Sequence, residues 1–363
     1  MSERLLQPER IERVVVRGAN WVGDAVMTVP ALRELRRVLP AAHVTLDTRA
    51  WAEGIFEGAD FVDEILTLEG RGARALMTRA RCWRARRFDL ALLFPNAFAP
   101  ALAAFAARVP VRVGYATDGR APLLTHALSV PAWRGERHEV FYYLNLVGEL
   151  ERLLYGSNGM EGRRPRLELE VPAARREAAR ALLREAGVRD ARRPVVALCP
   201  GSTNSRAKRW PSERFSMLAD MLSERAGAQV VLIGAREERE VSEEVASQAR
   251  VRPVDLTGRT SLAETTALLS VIDLLVTNDT GPAHLAAATD CPALVIFGPT
   301  NPQTTRPFSE LSEVVRVPPD CAPCMLRDCP IDHRCMTAVT VEDVCARALT
   351  VLERRRAGVE LAR

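Results

Sequence analysis

The chain has 363 residues, more than a single hydrophobic core usually organises, and this length predicts two domains. Hydrophobic residues make up 47% of the chain and charged residues 26%, a balance that argues against both a disordered and a membrane-embedded protein. The formal net charge is only +4, which argues against nucleic acid as a partner and still allows local basic patches for an anionic substrate.

The amino-terminal segment does not resemble a signal peptide. It is charged from its third residue and lacks the apolar stretch and small-residue cleavage site of a signal peptide. No apolar run in the sequence reaches the roughly 18 to 20 residues that a membrane-spanning helix needs. We therefore expect a cytoplasmic protein.

The first half of the chain alternates strand, turn and helix. A β-branched segment at 11–17 predicts a strand that ends at Gly18, and apolar residues at helical spacing predict a helix over 25–39. Further strands are predicted at 43–49, 62–68, 89–95 and 111–116, with alanine-rich helical segments between them. This alternation predicts a parallel α/β sheet.

The pattern is interrupted at 155–194, where glycine, arginine and proline predict a linker or a crossing segment, and it then restarts. Buried-type strands are predicted at 194–202, 228–235, 273–279 and 292–300. We therefore predict an α/β protein with two similar domains, at 1–175 and 190–339. A terminal helix within 340–363 has Thr340 as its predicted N-cap, and we consider a crossing of this helix back to the first domain.

The turns at the strand ends carry the residues that suggest chemistry, because ligands of open parallel sheets bind beyond the carboxyl ends of the strands. In the first turn, Gly18 and Gly23 allow a tight bend and Asp24 opens the following helix. A carboxylate there stabilises the amino terminus of the helix by about 0.3 to 1 kcal/mol. The alternative is a catalytic carboxylate at the mouth of a cleft, and the two roles are compatible.

The second turn contains the only lysine among the 50 lysine and arginine residues. Lys208 follows a Pro-Gly-Ser turn at 200–202, and Pro211 then starts a helix. A compact ammonium group suits a phosphate, whereas the planar guanidinium group of arginine suits bidentate partners. We interpret Lys208 as a phosphate-binding residue; the alternative is that codon bias left one lysine by chance.

The third turn has the strongest design for binding a phosphate. Asp279 or Thr280 is a candidate N-cap of a helix that begins near Gly281, so its N–H groups are exposed without bulky side chains nearby. His284 lies one turn further along, where a structural histidine is more common than a catalytic one. Gly298 and Thr300, in a fourth turn, complete the pocket wall if the two strands are neighbours.

Four motifs together resemble the ADP-heptose:lipopolysaccharide heptosyltransferases, which are family 9 glycosyltransferases. The motifs are NWVGDAVMTVPALREL, PGSTNSRAKRWPSERF, NDTGPAHLAAATDCPALVIFGPTNP and CAPCMLRDCPIDHRCM, and the resemblance covers about residues 12 to 345. Trp21 makes the first motif more similar to branch II of the family than to branch I. The resemblance implies the GT-B fold, in which two Rossmann-like parallel-sheet domains face a central cleft. It also implies that the first domain provides most of the acceptor-binding site and that the second domain binds the nucleotide sugar.

The resemblance further implies the activity and the site residues. The activity is inverting transfer of L-glycero-D-manno-heptose from ADP-heptose to the lipopolysaccharide inner core, with heptosyl-Kdo2-lipid A as the acceptor. Asp24 matches the catalytic base and Lys208 the pyrophosphate-binding lysine. The other donor-side positions are Ser202, Thr203, Glu238, Asp279, Thr280, Gly281 and His284, and the acceptor-side positions are Asn20, Trp21 and Gly23. Glu238 is assigned to the ribose, in competition with neighbouring glutamates, and the adenine to the segment 255–262.

The same residues suggest a single in-line displacement with inversion. Such a reaction needs a base for the acceptor hydroxyl and positive groups for the departing diphosphate. Asp24 is the candidate base, and Lys208 with the N–H groups around Thr280 and Gly281 is the candidate anion site. The sequence has no Asp-x-Asp metal motif, so we expect catalysis to require no cofactor, with stimulation by Mg²⁺ left open.

Two features lie outside this chemistry. The first is a group of thiols spaced for a structural zinc site, with His333 as an alternative ligand: Cys321, Cys324, Cys329 and Cys335. Disulfides and unbridged thiols are the alternatives, and a reducing cytoplasm disfavours disulfides. The second is the segment 71–88, which has seven arginines and no acidic residue.

A charge run such as 71–88 is typical of a solvated face. The alternative is contact with a phosphate-bearing, lipid-anchored acceptor at the cytoplasmic membrane surface. The expected partners are therefore ADP-heptose, the lipid-anchored acceptor and this membrane surface, with no nucleic acid. The expected location is the cytoplasm, peripheral to the inner face of the membrane.

Other functions stay open on the sequence alone. A sugar-nucleotide epimerase shares the two-domain fold but would consume the donor without an acceptor. A bilobal sugar-binding protein is normally exported, and a metal-binding interaction module would leave Asp24 and Lys208 without a role. Within the family, transfer of another heptose-like sugar or to another core position is the closest alternative. We assign acceptor choice to the loops 95–100 and 116–138, whose sequences carry no readable code.

Overall fold

The computed structural model describes residues 5–160 and 162–357. The chain divides into two compact units, Met1–Leu169 and Glu170–Arg363. Each unit is built on one six-stranded sheet. Because every strand pair in both sheets is parallel and helices connect the strands, the predicted α/β class is confirmed.

The strands of the first unit are β1 (Arg13–Arg17), β2 (His43–Thr48), β3 (Glu64–Thr67), β4 (Leu90–Leu93), β5 (Val111–Tyr115) and β6 (His126–Leu128). Their order in the sheet is β3-β2-β1-β4-β5-β6. All four residues of the central strand β4 are buried, as expected for a parallel sheet that is covered on both faces. The order places the carboxyl end of β1 between those of β2 and β4.

The helices of the first unit are α1 (Val22–Met27), α2 (Val29–Val38), α3 (Ala50–Phe56), α4 (Gly72–Arg86), α5 (Phe98–Ala106) and α6 (Glu139–Tyr155), with 3₁₀ turns at Pro8–Arg10 and Ala121–Leu123. The prediction of one helix over 25–39 is wrong in two respects. The helical region begins at Val22, and it is interrupted at Thr28. Pro30 explains the interruption, because it has no N–H to bond to the carbonyl of Val26.

The strands of the second unit are β7 (Val195–Cys199), β8 (Gln229–Leu232), β9 (Val254–Asp255), β10 (Leu274–Asn278), β11 (Ala293–Ile296) and β12 (Ser312–Val315). Their order is β12-β11-β10-β7-β8-β9. The helices are α7 (Ala173–Ala186), α8 (Ser212–Ala226), α9 (Arg239–Gln248), α10 (Leu262–Leu269), α11 (Gly281–Ala288), α12 (Pro302–Thr305), α13 (Arg334–Thr337) and α14 (Val341–Arg356), with 3₁₀ turns at Arg206–Lys208 and Arg236–Glu238.

The segment 155–194 is only partly a linker. The helix α7 occupies 14 residues of it, so the prediction of a linker throughout this segment is wrong. Its alanine, arginine and leucine residues are strong helix formers. The helix ends at Gly187, whose φ of 113° provides the left-handed residue that commonly terminates helices.

The last helix belongs to the core of the second unit. Its buried residues Val344, Cys345 and Ala348 share a hydrophobic cluster with residues of α8 and β10. Thr340 Oγ1 accepts a hydrogen bond from the Asp343 N–H at 3.2 Å, which confirms the predicted N-cap. Residues 358–363 of the predicted helix lie outside the described residues, and its crossing back to the first domain stays a prediction. No helix in the described part of the chain is long and apolar enough to span a membrane.

Candidate active site

The carboxyl ends of β7, β8, β10 and β11 lie side by side, because these strands are neighbours in the second sheet. The turns and helix starts that follow these strands carry all of the donor-side residues predicted from the sequence: Ser202, Thr203, Lys208, Glu238, Asp279, Thr280, Gly281 and His284. His284 is buried on α11. This sheet edge is the position where α/β folds commonly bind ligands.

Lys208 is held in place by the aspartate of the third turn. Its Nζ donates hydrogen bonds to Asp279 Oδ2 at 2.8 Å and to the Asp279 carbonyl oxygen at 3.2 Å. Thr300 Oγ1 donates to the same carboxylate oxygen at 2.6 Å. The lysine side chain is 26% exposed and that of Asp279 is only 5% exposed. The buried Asp279 carboxylate therefore holds an ammonium group that is partly accessible. The arrangement fixes one compact positive charge at the sheet edge.

The start of α11 directly follows this aspartate. Thr280 occupies the N-cap position, but its hydroxyl lies 3.2 Å from Thr277 Oγ1, and Lys208 engages the Asp279 carboxylate. The predicted N-cap position is therefore confirmed for Thr280, but its side chain makes no capping hydrogen bond to the helix. Gly281 is the first helical residue, and the positive end of the helix dipole favours an anionic ligand there.

The structure distinguishes Glu238 from its neighbouring glutamates. Glu238 is 6% exposed, whereas Glu237 and Glu240 point to solvent. Its Oε1 accepts a hydrogen bond from Thr203 Oγ1 at 3.0 Å, and its Oε2 accepts one from the Ala235 N–H at 2.8 Å. The carboxyl group thus joins the turn after β8 to the turn after β7.

Sequence reasoning missed two residues that shape these turns. Asn278, buried at the end of β10, accepts a hydrogen bond from the Trp210 N–H at 3.0 Å and donates one to the Pro200 carbonyl at 2.8 Å. The Arg209 guanidinium group donates to the Ser202 carbonyl at 3.0 and 3.3 Å. For Asn278, the available signal was an amide side chain at the end of a strand that begins with three apolar residues.

In the first unit, the turn after β1 holds the acceptor-side residues and the candidate base. Trp21 is the N-cap residue of α1 and is 55% exposed. Asn20 Oδ1 accepts a hydrogen bond from Arg17 Nη2 at 2.9 Å. The first turn of α1 contains Gly23 and Asp24. Burial raises the pKa of Tyr143 well above its usual value, and the nearby negative charge of Asp24 raises it further.

A buried ionic network, also missed from the sequence, supports this turn. Arg17 and Asp47 are register partners at the carboxyl ends of β1 and β2. Arg17 Nη1 donates to the Gly18 carbonyl at 2.9 Å. Asp47 Oδ2 accepts hydrogen bonds from Arg79 Nε at 2.7 Å and Trp83 Nε1 at 2.9 Å. Burial raises the pKa of Asp47 against the opposing charges of Arg17 and Arg79, and burial lowers the pKa of Arg17 to about 10.

The four clustered cysteines are free thiols. Across residues 5–160 and 162–357, no group of three or more His, Cys, Asp or Glu side chains is arranged to hold a metal ion. Cys321 and Cys329 are exposed, Cys324 is half-buried and Cys335 is buried. Burial raises the pKa of Cys335, and negative charge at Cys324, Cys329 and Cys321 raises it further. The structural zinc stays a prediction from their spacing.

Comparison with known proteins finds relatives in sequence. Residues 78–334 match glycosyltransferase family 9 (heptosyltransferase). Lipopolysaccharide heptosyltransferase 2 of Salmonella typhimurium is 30% identical over 321 residues, which cover 84% of this chain and 88% of the relative. The lipopolysaccharide heptosyltransferase 2 of Escherichia coli is 29% identical over 323 residues, with the same two coverages of 84% and 88%.

Solved structures have the same fold. The structure of E. coli ADP-heptose lps heptosyltransferase II is 25% identical and superposes with a TM-score of 0.78, covering 95% of this chain and 99% of that chain. The glycosyl transferase family 9 structure from Veillonella parvula is 22% identical and has a TM-score of 0.81, covering 97% of this chain and 99% of that chain. These matches confirm the predicted fold class. By sequence and by fold, the chain belongs to glycosyltransferase family 9, the heptosyltransferases, and is a glycosyltransferase.

Proposed function

We propose that this chain is an inverting heptosyltransferase that moves L-glycero-D-manno-heptose from ADP-heptose to the lipopolysaccharide inner core. The observation that carries the proposal is the Lys208 ammonium group, which Asp279 holds at the start of α11 in an arrangement suited to a diphosphate. The heptosyltransferase 2 relatives support heptose as the sugar and lipopolysaccharide as the acceptor. The E. coli ADP-heptose lps heptosyltransferase II supports ADP-heptose as the donor. We infer heptosyl-Kdo2-lipid A as the acceptor.

In the proposed reaction, Asp24 takes the proton of an acceptor hydroxyl while that oxygen attacks the anomeric carbon of the heptose. The bond from this carbon to the diphosphate oxygen breaks, the configuration inverts, and ADP leaves. Lys208 and the N–H groups of Thr280 and Gly281 stabilise the negative charge of the leaving group. Because these fixed groups supply the positive charge that a metal ion supplies in other transferases, we propose that catalysis requires no bound metal.

The remaining donor-side residues are assigned to the nucleoside. Glu238 suits the ribose hydroxyls, since its carboxylate already accepts a hydrogen bond from the Thr203 hydroxyl. The adenine is assigned to the turn after β9, where Gly258 has a φ of 66° and lies against Arg236. Ser202 is 3% exposed and lies in the turn after β7.

On the acceptor side, the exposed Trp21 offers an aromatic face to a sugar.

The arginines of α4 and its flanks are proposed to meet the phosphate-bearing acceptor at the membrane surface. Two of the seven arginines form ion pairs within the first unit: Arg79 pairs with Asp47, and Arg86 pairs with Glu64. The other five are exposed: Arg71, Arg74, Arg81, Arg84 and Arg87. Juxtamembrane basic residues contribute about 1 kcal/mol each near an anionic lipid surface. We therefore propose a peripheral location on the cytoplasmic face of the membrane.

The experiment that tests the proposal measures ADP release from ADP-heptose with and without heptosyl-Kdo2-lipid A, together with the mass and anomeric configuration of the product. We expect ADP release only with the acceptor, and a product that carries one more heptose with inverted configuration. Consumption of ADP-heptose without the acceptor would favour an epimerase or a hydrolase. Transfer from a uridine or guanosine sugar nucleotide in preference to ADP-heptose would overturn the donor assignment.

A further inference from the structure

A loop of the cysteine-rich segment, residues 327–333, contacts the turn that carries Lys208. We call this loop the clasp. The Arg327 carbonyl accepts hydrogen bonds from the Ala207 N–H at 2.9 Å and from Ser205 Oγ at 3.1 Å. His333 Nε2 lies 2.5 Å from the Ala207 carbonyl oxygen. A carbonyl oxygen only accepts hydrogen bonds, so Nε2 carries the hydrogen in this contact.

These contacts engage both backbone polar groups of Ala207, the residue before Lys208. Ala207 is 2% exposed, so its N–H and C=O are shielded from water and take their hydrogen bonds from the clasp. It is also the middle residue of the Arg206–Lys208 turn, so fixing it fixes the backbone from which the lysine side chain extends. Asp279 holds the far end of the same side chain. The lysine is therefore held at both ends.

The clasp is itself anchored in the second unit. The His333 N–H donates to Cys329 Sγ at 3.3 Å. His333 is the N-cap residue of α13, on which Cys335 and Met336 are buried at 8% and 0% exposure. A Cβ atom at Gly298 would lie 3.0 Å from Cys335 Sγ, so α13 packs closely on the turn after β11. The position of His333 is thus set by the core.

We propose that His333 is a positioning residue for Lys208, and that the clasp raises the affinity for the diphosphate without touching it. The proposal rests on the diphosphate-binding role proposed above for Lys208. Asp328 also helps to hold the clasp against the Arg206–Lys208 turn, but more weakly. It does so through an ion pair in which Arg206 Nε lies 2.7 Å from Asp328 Oδ1. That pair is 78% and 63% exposed, and exposed ion pairs contribute little.

The test is calorimetric binding of ADP to the full chain and to variants at position 333. In His333→Ala, the loss of one hydrogen bond to a buried carbonyl is expected to weaken ADP binding about 3- to 10-fold. His333→Gln can place an amide N–H near the position of Nε2 and is expected to restore binding to within about twofold of wild type. His333 has a φ of 57°, and because Ala and Gln share any backbone strain there, the comparison isolates the hydrogen bond.

A double-mutant cycle decides whether His333 acts through Lys208. If it does, His333→Ala weakens ADP binding in the wild-type background and has no further effect after Lys208→Ala. Equal effects in both backgrounds, or no effect in the wild type, would overturn the proposal and leave the role of Lys208 intact. If Lys208→Ala binds ADP as tightly as wild type, the proposed function of this site fails, and the clasp proposal fails with it.

A second variant keeps the test available if His333→Ala does not fold. Asp328→Ala removes only an exposed ion pair and is expected to weaken ADP binding about twofold, again only when Lys208 is present. A loss of ADP binding in Asp328→Ala that persists after Lys208→Ala would count against the clasp, because the effect would then not act through Lys208. The matched control is Arg184→Ala, which removes the exposed 2.9 Å ion pair with Glu177 on α7 and is expected to leave ADP binding unchanged.

Discussion

Lys208 and Asp279 are 71 residues apart in the sequence, yet the lysine Nζ lies 2.8 Å from Asp279 Oδ2. The same carboxylate oxygen also accepts a hydrogen bond from the Thr300 hydroxyl. The contacts of Asp279 therefore indicate a supporting role, in which it orients the ammonium group that we propose to bind the diphosphate.

Asp24→Asn tests the proposed base. We expect transfer to fall by about 100- to 10,000-fold, because an amide cannot accept the proton of the acceptor hydroxyl. ADP binding should stay within about twofold of wild type, since the base does not contribute to the anion site. Single-turnover transfer and calorimetry on the same preparation measure both. If ADP binding or folding is lost together with transfer, Asp24 has a structural role and the assignment is wrong.

Gly201→Ala tests the close packing between the turns after β7 and β8. A Cβ atom there would lie 2.6 Å from Glu238 Oε1, so the carboxylate must move and release the Thr203 hydroxyl. We expect a loss of about 1 to 3 kcal/mol in stability and weaker ADP binding. The same Cβ would lie 2.7 Å from Glu238 Cβ, so adding Glu238→Gly, which removes both atoms, should restore part of the stability while binding stays weak. Full stability of the single variant would show that the contact is not tight.

Asn278→Ala tests the buried amide that ties β10 to the lysine turn. The substitution leaves the Trp210 N–H and the Pro200 carbonyl unpaired, at a cost of about 1 to 3 kcal/mol each. Denaturant unfolding measures the loss. The control is Asn301→Ala, which removes a side-chain cap with a 3.1 Å hydrogen bond to the Gln303 N–H and should cost only about 1 kcal/mol. A loss at Asn278 no larger than at Asn301 would contradict the argument.

The ion pair between Arg37 on α2 and Glu151 on α6 predicts a pH dependence of stability. Arg37 Nη1 donates a hydrogen bond to Glu151 Oε1 at 2.9 Å, and Arg37 Nη2 donates one to Glu151 Oε2 at 2.9 Å. These hydrogen bonds lower the pKa of Glu151. A carboxyl group with a lowered folded pKa stabilises the fold above its unfolded pKa of about 4.3. This stabilisation is lost as the pH falls through the folded pKa.

The stability difference between wild type and Glu151→Gln should therefore be largest near neutral pH and shrink below a pH of about 4. Urea unfolding across this range measures it. Glu149→Gln, which removes a more exposed pair with Arg152 on the same helix, is the control and should show a smaller difference. A difference between wild type and Glu151→Gln that stays constant down to acid pH would exclude the ion pair as the cause.

The sequence patterns located the central strands and missed three strands at the sheet edges. The missed strands β6, β9 and β12 have 3, 2 and 4 residues, and each lies at the end of its sheet. Edge strands are buried less than central ones, so they show no long apolar run. The missed helix α7 has only two buried residues, Ala179 and Leu183, and its many arginines concealed its apolar face.

The candidate site was predictable to the same degree. Residues that follow a buried strand were identified, because the carboxyl ends of parallel strands meet at one edge of the sheet. Residues that support them from a distance were not, because their partners lie far away in the sequence. Asn278 and Trp210 are 68 residues apart, and His333 and Ala207 are 126 residues apart. No local pattern reports such pairs.

The measurement that tests the central claim most directly is calorimetric binding of ADP, beside UDP and GDP, to wild type and to Lys208→Arg. Arginine keeps the charge, but its wider fork can pair with both oxygens of the Asp279 carboxylate and draw the charge away from the diphosphate. We expect selective binding of ADP by the wild type and a loss of about tenfold or more in the variant. Equal affinity of both proteins for ADP, or a preference for UDP or GDP, would contradict the account.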